Sequence, residues 1–291
     1  MKIDSHHHFW KYNPVEYDWI SDEMKVIRRD FLPSDLRRES NLAGVDGVIS
    51  VQARQTVEET KWLLKLAAAN DFIKGVVGWL PLVSKTLTQD LEQFAAHQKL
   101  KGLRHVLQGE PDESYLLNPD FNAGIRAIKP FNLVYDLLFF ERQLPAAIQF
   151  VDRHPSQLFV LDHIAKPRIK DGLQEPWNKN IRELARRENV YCKISGMVTE
   201  ADWSAWTEAQ LQPYVETVLE AFGANRVMFG SDWPVCLIAS GYSRWLETVE
   251  RLLAGLSTSE KAHFFSGTAS KVYRLNEAVV KDGNFRERPK P

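Results

Sequence analysis

Short apolar runs alternate with amphipathic stretches along the chain, and this alternation restricts the fold more than any other feature of the sequence. Eight runs rich in β-branched and aromatic residues begin about thirty residues apart. They are KIDSHHH from Lys2, DGVISVQA from Asp46, IKGVVGWL from Ile73, LKGLRHVL from Leu100, FNLVYDLLF from Phe131, LFVLDHIAK from Leu158, NVYCKISGM from Asn189 and RVMFGSDWP from Arg226. Helix-length stretches such as TVEETKWLLKLAAAN and QLQPYVETVLEAFG lie between them. Repeated βα units of this kind predict an α/β fold with a parallel sheet, a single (β/α)8 TIM barrel.

The length of the chain and the lack of a linker sequence favour one domain. The 291 residues match a barrel of about 250 residues with short extensions. We predict that the barrel spans residues 1–276 and that residues 277–291 form a polar, loosely docked tail. A doubly wound open sheet is the alternative, but no GxGxxG turn follows the first run.

Charge and cysteine content exclude several classes of protein. With 37 basic and 38 acidic residues interspersed, the chain has no basic stripe for nucleic acid and no polybasic patch for a membrane. Cys192 and Cys236 are its two cysteines, so neither a disulfide framework nor a CxxC zinc site is expected. No apolar run approaches the length of a membrane span, and none forms a signal peptide. We therefore expect a cytoplasmic protein that binds a small neutral or anionic molecule.

Polar side chains gather at the carboxyl ends of the eight runs, where the strands of a parallel barrel converge on one mouth. Barrel strands have apolar interiors, so ionisable groups at equivalent positions of many strands indicate a functional site. In chain order these residues are His6, His7, His8, Gln52, Arg54, Trp79, Arg104, His105, Tyr135, Asp136, Asp162, His163, Lys193, Ser195, Ser231, Asp232 and Trp233.

The three consecutive histidines of the first run predict a cation site. Side chains alternate along a strand, so His6 and His8 point to one side and His7 to the other. Two neutral imidazoles on the same side can bind one cation such as zinc. The alternatives are incidental strand histidines or a purification tag, and three histidines between an Ile-Asp strand start and an aromatic pair disfavour the tag.

Two later motifs offer partners for these histidines. Asp232 in GSDWP follows an apolar run, where a carboxylate can bind a metal or accept a proton from water, although an Asp there could also cap a helix. In LDHIAKP, strand alternation predicts that only one of Asp162 and His163 faces the mouth. We assign His163 to the site and Asp162 to its support, and the alternative for His163 is a buried histidine bonded to a backbone carbonyl.

Substrate contacts are predicted for six further residues. Arg104 and His105 are adjacent, so only one of the two is expected to face the site. Arg104 would donate hydrogen bonds to a carbonyl or carboxylate, and His105 would transfer a proton. A surface ion pair is the alternative for Arg104, and core packing is the alternative for the tryptophans. The remaining candidates are Arg54, Trp79, Lys193 and Trp233.

Five segments, IDSHHHFW, GLRHVLQ, LDHIAKP, KISGM and GSDWP, resemble the amidohydrolase superfamily in their order along most of the chain. They are most similar to the branch that contains the lactonases of L-fuconolactone and L-rhamnonolactone and 2-pyrone-4,6-dicarboxylate lactonase. The resemblance implies a (β/α)8 barrel with His6 and His8 as the HxH motif of the first strand. It also implies that His163 is the histidine of the sixth strand and Asp232 the aspartate of the eighth.

The chain departs from the pattern of the two-metal members of that superfamily. Its fifth run ends in VYDLLF, without the histidine ligand that those members carry there. Its fourth run has Arg104 or His105 where they have a carboxylated lysine or a glutamate. No binuclear centre is therefore expected, and the cofactor is either absent or one weakly bound divalent metal such as zinc, held by His6, His8, His163 and Asp232.

The reaction that the resemblance implies is hydrolysis of a sugar-acid lactone in L-fucose or L-rhamnose catabolism. Asp232 would activate the water. The charge on the carbonyl oxygen would be stabilised by His6, His8, a bound cation or Arg104. His163 would orient the water or Asp232, or protonate the leaving hydroxyl. Alternatives are a zinc-dependent decarboxylase of an aromatic or unsaturated acid and a non-catalytic sugar-acid-binding barrel. The sequence leaves open which lactone is the substrate and whether the chain forms a homo-oligomer.

Overall fold

Eight parallel strands form one sheet, ordered β1 to β8 as in the chain, in a computed structural model that describes residues 1–275. The strands are β1 (Ile3–His7), β2 (Gly47–Val51), β3 (Ile73–Gly78), β4 (Leu100–Val106), β5 (Val134–Leu138), β6 (Phe159–Leu161), β7 (Val190–Ile194) and β8 (Val227–Phe229). Each predicted run contains one strand, so the predicted (β/α)8 barrel is confirmed. The predicted tail, residues 277–291, lies outside the described residues.

A helix follows every strand and packs on the outside of the sheet. The helices are α1 (Pro33–Leu42), α2 (Val57–Ala69), α3 (Leu87–Ala95), α4 (Pro119–Ile128), α5 (Leu144–Asp152), α6 (Trp177–Ala185), α7 (Glu208–Phe222) and α8 (Tyr242–Leu252), followed by α9 (Thr258–Ala262) and α10 (Thr268–Val272). None of the helices within residues 1–275 is long and apolar enough to cross a membrane.

Local sequence determines where several of these helices begin. The Thr56 hydroxyl accepts a hydrogen bond of 3.2 Å from the Glu59 amide at the start of α2. At the start of α4, the Asn118 side chain accepts a hydrogen bond from the Asp120 amide. Pro119 takes the first helical position, where an amide hydrogen would have no partner within the helix, so its absence costs nothing. These signals are local, so the sequence around each helix start contains them.

The lower half of the barrel interior is apolar. It contains inward-facing side chains from seven strands, packed against the C-terminal helix α10. The strand residues are Ile3, Ile49, Val51, Val77, Val134, Val160, Tyr191 and Met228. Ala269, Val272 and Tyr273 close the amino-terminal end of the barrel from below, and Tyr273 is fully buried. The chain therefore places its polar residues in the upper half.

Barrel closure between β8 and β1 depends on the segment that follows β8. The Asp232 amide donates to the His6 carbonyl (2.8 Å) and the His8 amide to the Trp233 carbonyl (2.6 Å). Asp4 is fully buried and reinforces this seam, because its carboxylate accepts from the Ser231 amide (2.8 Å), the Ser231 hydroxyl (2.6 Å) and the Tyr242 hydroxyl (3.1 Å). This carboxylate therefore joins the first strand to the last.

We expect Asp4→Ala to lower the free energy of unfolding by roughly 3 kcal/mol or more, since several buried donors lose their acceptor at once. Asp46→Ala is the matched control, because its half-exposed carboxylate accepts from the Lys2 amide at the rim. That variant should stay within about 0.5 kcal/mol of the wild type. Urea denaturation followed by circular dichroism measures both, and equal losses would show that Asp4 does not hold the seam.

Candidate active site

Four of the predicted residues meet above the apolar half of the barrel. The Nε2 atoms of His6 and His8 lie 3.3 Å apart. Asp232 Oδ1 lies 3.3 Å from His8 Nε2, 3.7 Å from His6 Nε2 and 3.9 Å from His163 Nε2. We call His6, His8, His163 and Asp232 the His/Asp cluster. Its members come from β1, the residue directly after it and the segments after β6 and β8, so only the closed barrel brings them together.

A register shift in β1 explains how the first strand serves both the core and the site. The pairing of β1 with β2 shifts between Asp4 and His7, as at a β-bulge. Ile3 consequently packs in the apolar half of the interior, while His6 and His8 both face the His/Asp cluster. His7 points to the other side, as predicted, and its Nε2 is hydrogen bonded to the Ser50 hydroxyl at 3.0 Å.

The hydrogen bonds of His6 and His8 define which ring nitrogen carries the hydrogen. His8 Nδ1 lies 2.8 Å from the Val51 carbonyl, and His6 Nδ1 lies 3.1 Å from Asp162 Oδ1. A carbonyl and a carboxylate accept hydrogen bonds, so both Nδ1 atoms donate and both Nε2 atoms present lone pairs to the His/Asp cluster. Burial also lowers the pKa of His6 well below its ordinary value, which keeps the ring neutral.

His163 and Asp232 complete a set of donors suited to a cation. Burial lowers the pKa of His163 to about 4, so this ring is neutral as well. Burial alone would raise the pKa of Asp232, but the neighbouring His163 and His8 hold it below its ordinary value, so the carboxylate is ionised. Neutral imidazoles and one carboxylate are the ligands of many divalent metal sites.

The distances within the His/Asp cluster fit one metal ion. Two ligand atoms that each lie about 2.1 Å from a tetrahedral zinc ion are about 3.4 Å apart. The three separations among His6, His8 and Asp232 are 3.3, 3.3 and 3.7 Å. Asp162 and His163 form a second group with His6, but Asp162 already accepts from Arg104 and Lys193. The residues therefore fit a single divalent cation.

A left-handed turn places both Asp162 and His163 inside the barrel. Strand β6 ends at Leu161, and the residues from His163 to Lys166 have φ values of 53, 50, 63 and 49°. Of the pair, only His163 faces the mouth, as predicted, and Asp162 is fully buried beneath it. Both lie inside the barrel because strand alternation stops where the chain enters this turn. The Trp177 indole donates to the Ile164 carbonyl at 2.7 Å and so stabilises the turn from outside.

Asp232 also has a left-handed backbone, with φ of 55°. This conformation turns its carboxylate toward the histidines immediately after β8. The alternative of a helix cap does not hold, since the next helical turn begins at Val235 with Pro234 before it and no side-chain capping bond.

Beneath the His/Asp cluster lies a layer of fully paired charges that the sequence analysis did not assemble. Asp162 accepts from Arg104 Nη1 at 2.9 Å, and its other oxygen lies 3.0 Å from Lys193 Nζ. Lys193 Nζ also lies 2.5 Å from Asp136, whose oxygens accept from the Tyr273 hydroxyl at 2.9 Å. All these side chains are 0 to 3% exposed. Asp136 and Asp162 stood out in the sequence as strand-end carboxylates, and their partners come from other strands and, in the case of Tyr273, from the residue after α10.

A cavity of about 650 Å³ opens above the His/Asp cluster. His8, His163, Asp232 and Arg104 line its floor, and His6 lies deeper. Its walls carry two ion pairs, Arg54 with Glu16 at 2.8 Å and Lys166 with Glu200 at 3.3 Å. Trp19, Trp203, Val235 and Ile238 supply apolar surface. Of these wall residues the sequence analysis named Arg54, and it missed the others because they lie in loops without strand periodicity.

Arg104, and not its neighbour His105, faces the cavity. His105 points out of the barrel, where its Nε2 lies 2.6 Å from Glu110 and its ring stacks on Tyr115. Trp79 donates from its indole to His105 Nδ1 at 3.2 Å, so it belongs to the same outer contact. Direct substrate contact by His105 and Trp79 is therefore not supported. Alternation along β4 explains the choice, since Arg104 points inward.

Trp233 and Lys193 also lie away from the cavity. Trp233 is 2% exposed and packs edge-on against Phe31, with ring centroids 5.1 Å apart. Lys193 is 0% exposed in the layer beneath the floor. Neither contacts the space that a substrate would occupy, so the predicted substrate contacts of these two residues are corrected to packing and charge pairing.

We expect Gly196→Ala to destabilise the protein more than Gly172→Ala does. Both glycines have positive φ, +59° and +67°, so each alanine carries a similar penalty of about 1–2 kcal/mol. At Gly196 the added methyl would also lie 2.5 Å from His163 Nδ1, whereas Gly172 has no atom within 4 Å. Urea unfolding of the two variants gives the comparison, and equal losses would show that Gly196 does not hold His163 in place.

Known proteins resemble this chain over nearly its whole length. The amidohydrolase family model matches residues 3–275. L-fucono-1,5-lactonase of Burkholderia multivorans is 40% identical over 288 residues, which cover 95% of this chain and 97% of that protein. L-fucono-1,5-lactonase of Burkholderia ambifaria is 35% identical and covers 95% of this chain and 96% of that protein.

A solved structure shares the same architecture. The crystal structure of an amidohydrolase from Burkholderia multivorans with bound zinc superposes with a TM-score of 0.92 at 40% identity, covering 94% of this chain and 99% of that chain. The family match, the two relatives and this structure agree, and the chain belongs to the amidohydrolase family.

Proposed function

We propose that the protein hydrolyses the lactone of a sugar acid, with L-fucono-1,5-lactone as the substrate to test first. The observation that carries the proposal is the carboxylate of Asp232, which lies within 4 Å of ring nitrogens of His6, His8 and His163 at the floor of a cavity of about 650 Å³. A cavity of this size is usual for a small-molecule site. The similarity to two L-fucono-1,5-lactonases over nearly the full chain supports the choice of substrate.

Asp232 is the proposed general base. Its carboxylate lines the cavity, so it can accept a hydrogen bond from a water that lies between it and the lactone carbonyl. The water oxygen forms a bond to the carbonyl carbon while its proton passes to Asp232. The bond between that carbon and the ring oxygen then breaks, and the proton leaves on the new hydroxyl group. His163 Nε2, 3.9 Å from Asp232, is placed to orient the water or to relay this proton.

Arg104 is the proposed donor to the carbonyl oxygen, where negative charge builds during the attack. Its guanidinium lines the cavity floor and is held by Asp162 and by the Gln52 carbonyl. Its Nε is buried without a hydrogen-bond partner among residues 1–275. A positive group fixed in advance stabilises developing charge without reorganising during the reaction.

We further propose that His6, His8 and Asp232 hold one divalent cation, with zinc as the ion to test first. When bound, such an ion supplies Lewis acidity for the carbonyl or the water. The hydrogen bonds from His6 to Asp162 and from His8 to the Val51 carbonyl keep both Nε2 lone pairs aimed at this position. Whether hydrolysis depends on the cation is decided by removing it.

We expect Asp232→Asn to lower kcat for L-fucono-1,5-lactone by about 100-fold or more, because the amide cannot accept the water's proton. KM should change by only a few-fold. Acid release followed with a pH indicator, corrected for spontaneous hydrolysis, measures both constants. Asp71→Asn is the matched control and should leave kcat unchanged, since Asp71 is exposed and does not line the cavity. Activity of Asp232→Asn within a few-fold of the wild type would refute the assignment of Asp232 as the general base.

Release of carbon dioxide from an aromatic acid by the wild type would favour the alternative function, a zinc-dependent decarboxylase.

We expect metal-stripped protein to bind one equivalent of Zn²⁺ in isothermal titration calorimetry and to gain lactonase activity in parallel. His8→Ala should abolish the binding, because two ligands hold a zinc ion far less tightly than three. His97→Ala, which changes an exposed histidine outside the barrel interior, should leave it intact. Full activity in stripped protein that binds no zinc would show that His6 and His8 act through hydrogen bonds to the substrate.

A further inference from the structure

Five fully buried polar side chains form a continuous column from the closed lower end of the barrel to the His/Asp cluster. Tyr273 donates to Asp136 at 2.9 Å, Asp136 and Lys193 Nζ are 2.5 Å apart, and Lys193 Nζ and Asp162 Oδ1 are 3.0 Å apart. Asp162 Oδ1 in turn lies 3.1 Å from His6 Nδ1. All five side chains are 0% exposed. We call Tyr273, Asp136, Lys193 and Asp162 the buried column, which ends on His6.

The charges of this region balance. Arg104 and Lys193 face Asp136 and Asp162, so two positive groups offset two negative ones. Burying charged groups is unfavourable unless every one is paired, and apolar residues of similar volume are often at least as stabilising. The layer directly below is filled in that apolar way by Val134, Val160 and Met228. Stability alone therefore gives no reason for charges at this level.

The arrangement around Asp162 indicates what the charges do. Its Oδ2 accepts from Arg104, and its Oδ1 is shared between Lys193 Nζ and His6 Nδ1. Lys193 Nζ is also 3.3 Å from His6 Nδ1, and two of its three hydrogens are directed at the carboxylates of Asp136 and Asp162. Arg104 Nη1, which can only donate, lies 3.3 Å from His6 Nε2, so Nε2 carries a lone pair and Nδ1 carries the hydrogen that is donated to Asp162 Oδ1.

We propose that Lys193, anchored by Asp136 and Tyr273, is a positioning residue that holds Asp162 and thereby fixes the Nδ1–H tautomer and the ring orientation of His6. Lys193 does not touch the substrate cavity and acts through Asp162. Removing it frees Asp162 to turn fully toward Arg104, and His6 loses the acceptor that selects its tautomer. The kinetic part of the test rests on the proposed lactonase function, and the spectroscopic part does not.

The kinetic test uses Lys193→Met. We expect kcat for L-fucono-1,5-lactone to fall at least tenfold, because His6 in the His/Asp cluster loses its fixed orientation. KM should stay within threefold of the wild type, because the cavity surface that binds the substrate is unchanged. A raised KM with unchanged kcat would show a substrate contact and overturn the proposal. The matched control is Lys99→Met, since Lys99 Nζ donates to the Ile73 carbonyl at 2.8 Å, near the amino-terminal end of the barrel.

A second variant separates positioning from stability, because Lys193→Met leaves two buried carboxylates with fewer partners. The triple variant Lys193→Met, Asp136→Leu, Tyr273→Phe turns the lower column into an apolar layer. We expect its thermal unfolding temperature to return toward that of the wild type while kcat stays at least tenfold reduced. If kcat recovers together with stability, the column is a structural feature only and the proposal is wrong.

The direct test is the tautomer of His6, which needs no substrate. Long-range ¹H–¹⁵N correlation spectra of the metal-free protein distinguish protonated from unprotonated ring nitrogens, and the His6→Asn variant assigns the signals. We expect the wild type to show the Nδ1–H form and the triple variant to show a mixture, with weaker Zn²⁺ binding by calorimetry. An unchanged tautomer and unchanged zinc affinity would overturn the proposal, even if no lactone proved to be a substrate.

Discussion

The shared carboxylate of Asp162 is the interaction on which the rest of the site depends. It accepts from Arg104, Lys193 and His6 at once, in a part of the barrel that is closed to solvent. Each donor is fixed by this one acceptor, so the positions of the His6 imidazole, the Arg104 guanidinium at the cavity floor and the buried Lys193 ammonium are linked. Inside a protein the interaction between such charges is strong, and an unpaired member would be very unfavourable.

Strained backbone at two strand ends is the consequence of bringing these groups together. The residues from His163 to Lys166 all have left-handed φ values, at roughly 1–2 kcal/mol each for residues other than glycine. Contacts from neighbouring elements offset this strain, including the Trp177 indole on the Ile164 carbonyl and the Ser195 hydroxyl on His163 Nδ1. Asp232 has the same left-handed backbone. Strain of this kind persists where the surroundings over-determine it, and it is concentrated at functional sites.

Much of the architecture could be predicted because it rests on local pattern. The eight apolar runs each contain a strand, and strand alternation correctly separated His7 from His6 and His8. Strand alternation does not extend to Asp162 and His163, because β6 ends at Leu161 and the left-handed turn that follows places both side chains inside the barrel at different depths. It could not choose between Arg104 and His105, since the rule gives opposite faces without saying which face is inside.

The sequence by itself determined the order of strands and helices, the polar residues at the strand ends and the family to which the chain belongs, because these depend on short-range periodicity and on motifs. Tertiary structure alone decided which of those polar residues act together. In the buried column, Lys193 pairs with Asp136 and Asp162, and Tyr273 bonds to Asp136, although these residues are distant along the chain. In the cavity wall, the pairs Glu16 with Arg54 and Lys166 with Glu200 join residues held in loops. Distances between such residues are set by barrel closure and by loop conformation, and no local pattern encodes either.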